Sequence, residues 1–315
     1  MSLRHSTTVA TLLVSLGLTG CAGNRTMPAT AAVPVSTQRV VASATGQTIP
    51  FAQLADAASK ADVVFFGEQH DDDETHRAEL ALLAAIGERR GKVVLSLEMF
   101  ERDVQPVLDA YLAGSMSEVD FRAQSRPWPN YEADYRPLVE LAKAKRWPVV
   151  AANVPRRLAS TVSRRGLPAV DSLPGVDRGY VARDLQCPKD KYYENFVAVM
   201  SGGHGGAGGA TPPAPSGARS MTDLFYESQC VKDETMAESI VAAREKAGND
   251  AIIVHFNGAF HSDFGLGTAA RVSRRIPAGK TVVVSAVPTP DPLKAKAAEF
   301  LDRGQFIILA LRTKP

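Results

Sequence analysis

Two carboxylates and two imidazoles in this chain follow short apolar runs that are typical of buried β-strands. They are Glu68, His70, Glu98 and His261. Ligands of an open α/β sheet bind outside the carboxyl ends of its strands, so we expect these four side chains to share one crevice. Such a set suits metal coordination or general acid–base catalysis. The alternative is structural: Glu98 and His261 neutralise each other in the core, because buried charges must be paired.

The elements that position these residues are predicted from apolar periodicity. Six runs predict strands, at residues 63–66, 93–100, 148–153, 251–257, 281–287 and 306–311. Helical spacing separates them, including stretches at 51–60, 73–90, 135–145, 189–200, 222–246 and 293–302. This alternation predicts an α/β fold with a mostly parallel central sheet flanked by helices. The long segment between strands two and four is predicted to form a helical cap over the strand ends.

The predicted cap is rich in aromatic and basic residues, which suit a flat, apolar, dianionic ligand. The relevant residues are Tyr131, Tyr135, Tyr192, Tyr193, Arg126 and Arg136. A cap helix also needs aromatic residues merely to pack, and from composition alone that interpretation is preferred. Of the other histidines, His76 is predicted to be an exposed partner of acidic residues at a helix start, and His255 a hydrogen-bonded core residue. The formal charge of +2 gives no nucleic-acid footprint.

The N-terminal region predicts an address in a bacterial envelope. Residues 1–20 read as a signal peptide, and its end, LTGC at 18–21, resembles a lipobox that implies acylation of Cys21. The alternative is an ordinary signal peptide with a chance cysteine. Ala22 after the cysteine implies the outer membrane, held by the lipid anchor only. Residues 21–47 are predicted to be a flexible tether, 48–315 the folded domain, and 201–219 a disordered insertion rich in glycine, alanine and proline.

Two further cysteines, Cys187 and Cys230, remain after acylation. In an oxidising envelope two spare cysteines usually pair, so we predict a disulfide between the segments that flank the insertion. The alternative is two separate buried thiols.

Six ordered motifs extend through nearly the whole predicted domain. They are FGEQH at 66–70, SLEMF at 96–100, YRPL at 135–138, ANVPR at 152–156, DETMA at 233–237 and NGAFH at 257–261. Together they resemble the ChaN-like family of haem-binding lipoproteins in the haem-uptake Tiki superfamily. The resemblance implies an α/β core, haem bound by a homodimer, a ferric iron held by tyrosine, and a role beside an outer-membrane haem-uptake receptor system.

The resemblance implies a ligand set and also an alternative activity. Tyr192 and Tyr193 are the leading candidates for the iron ligand, followed by Tyr131 and Tyr135. Arg126 or Arg136 would hold the haem propionates through charge-assisted hydrogen bonds. The wider superfamily also contains metal-dependent peptidases and erythromycin-esterase-like hydrolases, which use the positions of the two strand-end carboxylates and two imidazoles. A metal-dependent hydrolase with a divalent ion at those four residues is therefore the alternative function, and whether the chain is an enzyme stays open.

Overall fold

The computed structural model describes residues 37–202 and 219–312. These ranges contain eight strands in one sheet. They are β1 (Gln38–Ala42), β2 (Gln47–Ile49), β3 (Val63–Glu68), β4 (Val93–Glu101), β5 (Val149–Asn153), β6 (Ile252–Gly258), β7 (Thr281–Thr289) and β8 (Phe306–Leu311). All six predicted strands are present, each within a few residues of its predicted bounds.

The strand order is β2-β1-β8-β7-β3-β6-β4-β5. All pairs from β8 to β5 are parallel, whereas β1 pairs antiparallel with both β2 and β8. Because β3, β4, β5 and β6 are parallel neighbours, their carboxyl ends meet at one edge of the sheet. The predicted α/β fold with a mostly parallel sheet is confirmed.

Ten α-helices lie in the described ranges. They are α1 (Phe51–Ala58), α2 (Asp73–Arg89), α3 (Gln105–Leu112), α4 (Glu118–Ser125), α5 (Arg136–Lys145), α6 (Arg156–Arg165), α7 (Gly175–Gly179), α8 (Lys191–Gly202), α9 (Met221–Ala247) and α10 (Gly267–Arg275). Helix α2 begins where Asp72 caps it, accepting a hydrogen bond of 2.9 Å from the amide of Thr75. None of the described helices is long and apolar enough to cross a membrane.

Alternation along the strands gives the sheet two apolar faces. Side chains such as Val64 and Phe66 of β3 pack in the same core cluster as residues of α1, α2, α3 and α5. Their neighbours Val63 and Phe65 face the other way, toward α9 and α10. Burial on both faces explains why these strands read as continuous apolar runs.

The helical cap is smaller than predicted, because most helices between β4 and β6 cover the faces of the sheet. Helix α5 packs in the first cluster, while α9 contributes to the second. The parts that line the strand ends are the loop at Trp128, α8, and the N-terminal half of α9.

Two local predictions are wrong. The tether predicted at 21–47 contains strand β1 and the first residue of β2, because β1 hydrogen-bonds along the free edge of β8. The helix predicted at 293–302 is replaced by turns and one short 3₁₀ turn, Ala297–Glu299. The signal peptide, the acylation site Cys21, the first part of the tether and residues 203–218 of the insertion lie outside the described residues.

Candidate functional site

The carboxyl ends of β3, β4 and β6 open into a cavity of about 510 Å³. All four residues predicted to share a crevice line it: Glu68, His70, Glu98 and His261. The backbone brings them together, because Glu68 lies opposite Gly258 in the parallel ladder. The amide of Gly258 in turn donates a hydrogen bond of 2.8 Å to Glu98 Oε2.

Glu68 and His70 form a hydrogen-bonded pair at the end of β3, through Oε1 and Nδ1. The same carboxylate oxygen accepts a hydrogen bond of 2.7 Å from the hydroxyl of Tyr135. Burial disfavours an imidazolium here, yet the hydrogen bond and charge of Glu68 outweigh it and raise the pKa of His70. The carboxylate therefore fixes the ring, leaving Nε2 as its remaining ligand atom.

The imidazole of His70 is the accessible part of this pair, with 44 % of its side chain exposed. Its ring lies edge-on to Trp128, with centroids 4.9 Å apart. Its other side rests on Gly258, where a Cβ atom would come within 2.6 Å of Nε2. A larger residue at this position would therefore force the ring of His70 to move.

His261 lies between two buried carboxylates. Its Nδ1 is 2.7 Å from Asp233 Oδ1, and its Nε2 is 3.3 Å from Glu98 Oε1. Burial opposes charging the ring, but Glu98 and Asp233 raise the pKa of His261 to about 10. Burial opposes ionisation of Glu98 as well, and His261 nevertheless holds the pKa of that carboxyl far below its usual range. The predicted structural pairing of Glu98 with His261 is therefore present, with Asp233 as a third member.

The four residues line one cavity but do not form the predicted metal site. Within residues 37–202 and 219–312, the three-residue group whose ligand atoms all lie within 4.8 Å of one another is Glu68, His76 and Glu79. The predicted quartet does not meet that criterion, because Glu68 engages His70 while Glu98 engages His261 and the backbone. The four side chains are thus committed to two separate ion pairs.

The predicted haem tyrosines do not present free hydroxyls to this cavity. Tyr135 and Tyr192 are buried and donate hydrogen bonds of 2.7 Å to Glu68 and Asp233. Burial and these carboxylates raise the pKa of both phenols, which disfavours a phenolate. Tyr131 is buried in the core beside Phe100. Tyr193 is half-buried.

The Tyr193 hydroxyl donates a hydrogen bond of 2.9 Å to Asp223. Tyr192 lines an adjoining cavity of about 600 Å³. The geometry does not support any of the four as a ligand within the strand-end cavity.

The two predicted propionate-binding arginines also lie elsewhere. Arg126 pairs with Glu101 and Asp103, and Arg136 pairs with Glu118. The cations that line the strand-end cavity are Arg156 and Lys232. In the described part of the chain neither of these forms an ion pair.

The match to known families agrees with this architecture. A family model described as haem-binding uptake, Tiki superfamily, ChaN, matches residues 54–272. The chain belongs to this family. Among curated proteins, no sequence matches significantly.

Three solved structures are similar to this ChaN-family chain, and the first of them shares its fold. One describes cofacial haem binding to ChaN of Campylobacter jejuni; it is 16 % identical, covers 88 % of this chain and 98 % of that chain, and has a TM-score of 0.66. The type III effector HopBA1 is 13 % identical over 82 % of this chain and 92 % of its own, with a TM-score of 0.44. A bacterial protein toxin is 14 % identical over 75 % of this chain and 37 % of its own, with a TM-score of 0.40.

Two helix residues that contact the site, Asp233 and His76, were not predicted from the sequence as site residues. Asp233 on α9 belongs to one of the six motifs, and that was the available signal. His76 was predicted to be exposed, which is wrong: it is buried, with Nδ1 2.9 Å from Glu79 Oε2. The spacing of His76 and Glu79, three residues apart on one helix, could have indicated this pair.

Two other predicted features fall at the margin of the site. Cys187 and Cys230 form a disulfide, with Cα atoms 5.6 Å apart, which ties the segment before α8 to α9.

His255 is a core residue whose Nδ1 lies 2.9 Å from Ser96 Oγ, and burial lowers its pKa to about 3. It is therefore a neutral packing residue.

Proposed function

We propose that this ChaN-family chain binds haem in the strand-end cavity and takes part in haem or iron uptake. The observation that carries the proposal is the cavity's combination of an accessible imidazole, apolar walls and two cations that form no ion pair with any described residue. Family membership supports the same ligand.

The cavity residues fit haem by their chemistry. The apolar wall consists of Trp128, Phe196, Val199 and Phe260. Such side chains suit the flat porphyrin, because burying apolar surface is the main source of affinity for a ligand of this kind. Arg156 and Lys232 are available to the two propionates, and guanidinium groups bind carboxylates strongly. These two cations replace Arg126 and Arg136 in the proposal.

The geometry favours His70 over the tyrosines as the iron ligand. Its Nδ1 is held by Glu68, which fixes the ring and raises the basicity of the remaining nitrogen. Histidine is a common axial ligand of haem iron. Tyr192 and Tyr193 remain alternative iron ligands, and a haemin titration tests them together with His70.

The test is a haemin titration followed by absorbance. Wild-type protein should saturate, His70→Ala should weaken binding and alter the spectrum, and Tyr193→Phe and Tyr192→Phe should behave as wild type. A phenolate-type charge-transfer band lost in a Tyr→Phe variant would restore the tyrosine assignment. Binding that never saturates would contradict the haem proposal itself.

We further propose that the chain is an outer-membrane lipoprotein acylated at Cys21. The lipobox-like LTGC at 18–21 supports this address. Mass spectrometry of the mature N-terminus should find an acylated cysteine, and an unmodified chain that begins elsewhere would contradict it. A homodimer and an outer-membrane haem-uptake receptor are the partners expected from the family resemblance.

A metal-dependent hydrolase has less support from the geometry. A general base needs a free lone pair near neutral pH, but His261 is held protonated between two carboxylates. Its Glu98 partner is likewise engaged by the backbone amide of Gly258.

A further inference from the structure

Behind the Glu68–His70 pair, three side chains of metal-ligand type meet in the interior: Glu68, His76 and Glu79. All three are buried, and one ligand atom from each lies within 4.8 Å of the others. His76 Nδ1 is 2.9 Å from Glu79 Oε2 and 3.5 Å from Glu68 Oε2. An ion with bonds of about 2.0–2.2 Å places neighbouring ligand atoms at about this spacing. The trio therefore already has the dimensions of a coordination shell.

The His76 ring is oriented so that its Nε2–H tautomer would direct the Nδ1 lone pair into the trio. Its Nε2 lies 3.2 Å from the main-chain oxygen of His70. A carbonyl can only accept, so Nε2 carries the proton, and in a neutral ring Nδ1 is the atom that faces the two carboxylates. Metal-ligating histidines commonly have this second interaction, with the other ring N–H donating to a carbonyl or carboxylate.

Unpartnered carboxylate oxygens provide an independent observation. Glu68 Oε2 and Glu79 Oε1 are buried and, among the described residues, have no hydrogen-bond partner. By contrast, Glu68 Oε1 is held by both Tyr135 and His70. Burying a carboxylate oxygen without a donor or a cation is costly. The free oxygen of Glu68 points to the side on which His76 lies.

The negative charge of the carboxylates around His76 also favours binding of a cation. A third carboxylate, Asp134, has Oδ2 at 3.6 Å from His76 Nε2. Among the described residues, no Lys or Arg side chain pairs with Glu68 or Glu79. A divalent ion would balance the charge of these buried carboxylates.

We propose that Glu68, His76 and Glu79 bind a divalent first-row transition ion such as Zn²⁺ or Mn²⁺. Two carboxylates and one imidazole without sulfur suit ions of this class. His76 also lines, with Asp134, a small cavity of about 240 Å³ beside the trio. The site differs from the quartet predicted from sequence, and it does not depend on haem binding.

The test uses haem-free full-length protein without a histidine tag, treated with chelator and then titrated with ZnCl₂ and, separately, MnCl₂. Calorimetry, with metal analysis after gel filtration, should give about one ion per chain for the preferred metal. Glu79→Gln and His76→Gln should each weaken binding by at least about tenfold, since loss of a mere outer-shell partner already costs about 10–100-fold at other protein metal sites. Zn-edge X-ray absorption of the loaded protein should show only nitrogen and oxygen ligands.

Glu74→Gln is the matched control. Glu74 is a buried carboxylate on the same helix, but Thr37 and Arg77 already bond its two oxygens. The Glu74→Gln variant should therefore bind the ion as the wild-type protein does. Glu79→Gln keeps the shape of the carboxyl group, so circular dichroism should show an intact fold. No stoichiometric binding by wild type, or equal binding by Glu79→Gln and wild type, would overturn the proposal. A separate haemin titration of the same samples measures haem binding, so that the outcome of the metal proposal and that of the haem proposal can be told apart.

Discussion

The hydroxyl of Tyr135 donates a hydrogen bond of 2.7 Å to Glu68 Oε1. The contact joins a residue predicted to ligate haem to a residue predicted to act in catalysis. Because Tyr135 is fully buried and its pKa is raised, it acts as a neutral donor that holds the carboxylate. Glu68 in turn orients His70, so the tyrosine influences the cavity through two hydrogen bonds.

Tyr135→Phe should destabilise the fold by about 1–2 kcal/mol, because it leaves a buried carboxylate oxygen with one donor fewer. Saturable haemin binding should persist, since the phenol does not line the cavity. Urea denaturation and haemin titration measure the two effects. Tyr111→Phe is a matched control: Tyr111 is also buried, but its hydroxyl bonds Glu140. Loss of a phenolate-type charge-transfer band in a folded Tyr135→Phe variant would show that the phenol is a ligand.

Gly258→Ala should displace the His70 ring. The new methyl group would lie 2.6 Å from Nε2 and 2.9 Å from Cε1. Because the displaced ring would no longer be held in place by Glu68, haemin affinity should fall by roughly tenfold, which is about 1.4 kcal/mol of binding free energy. Gly91→Ala is the control, because a Cβ there meets no atom within 4 Å. Unchanged affinity in Gly258→Ala would separate His70 from haem binding.

Stability should depend on pH through His261. Its pKa is raised from 6.5 to about 10 in the fold, so its contribution to the free energy of unfolding is complete below pH 6.5 and is lost as pH rises toward 10. The slope for one proton is at most about 1.4 kcal/mol per pH unit. Urea denaturation from pH 6.5 to 10 should show a steeper decline for wild type than for His261→Gln. Parallel pH profiles would mean that His261 is not charged in the fold.

Removing the Cys187–Cys230 disulfide should lower stability by about 2–4 kcal/mol, because the bond closes a loop across 43 positions of the chain. The double Cys→Ala variant of these two residues should show a lower denaturation midpoint in urea. Wild type treated with reductant should approach the variant, and reductant should leave the variant itself unchanged. If the two proteins unfold alike under oxidising conditions, the bond does not form in solution.

The sequence alone was sufficient for the parallel part of the sheet. Strands β3, β4 and β6 are buried on both faces, so each is a continuous apolar run that needs no knowledge of its neighbours. The convergence of Glu68, His70, Glu98 and His261 on one cavity follows from the same rule, since parallel strands end at one edge. The six motifs likewise indicated the family.

Only the tertiary structure decided which groups pair and which face solvent. His261 contacts Asp233 on α9, and His76 turns inward to Glu68, contacts that no helical period specifies. Strand β1 is short and only partly buried, and it becomes a strand because the edge of β8 supplies its hydrogen bonds. The tyrosines illustrate the same limit: the family resemblance implied tyrosine ligands, but whether a hydroxyl is free depends on a carboxylate distant in the chain. Hydrogen bonds and ion pairs between distant residues carry no local sequence signal, and these contacts determine the chemistry of the site.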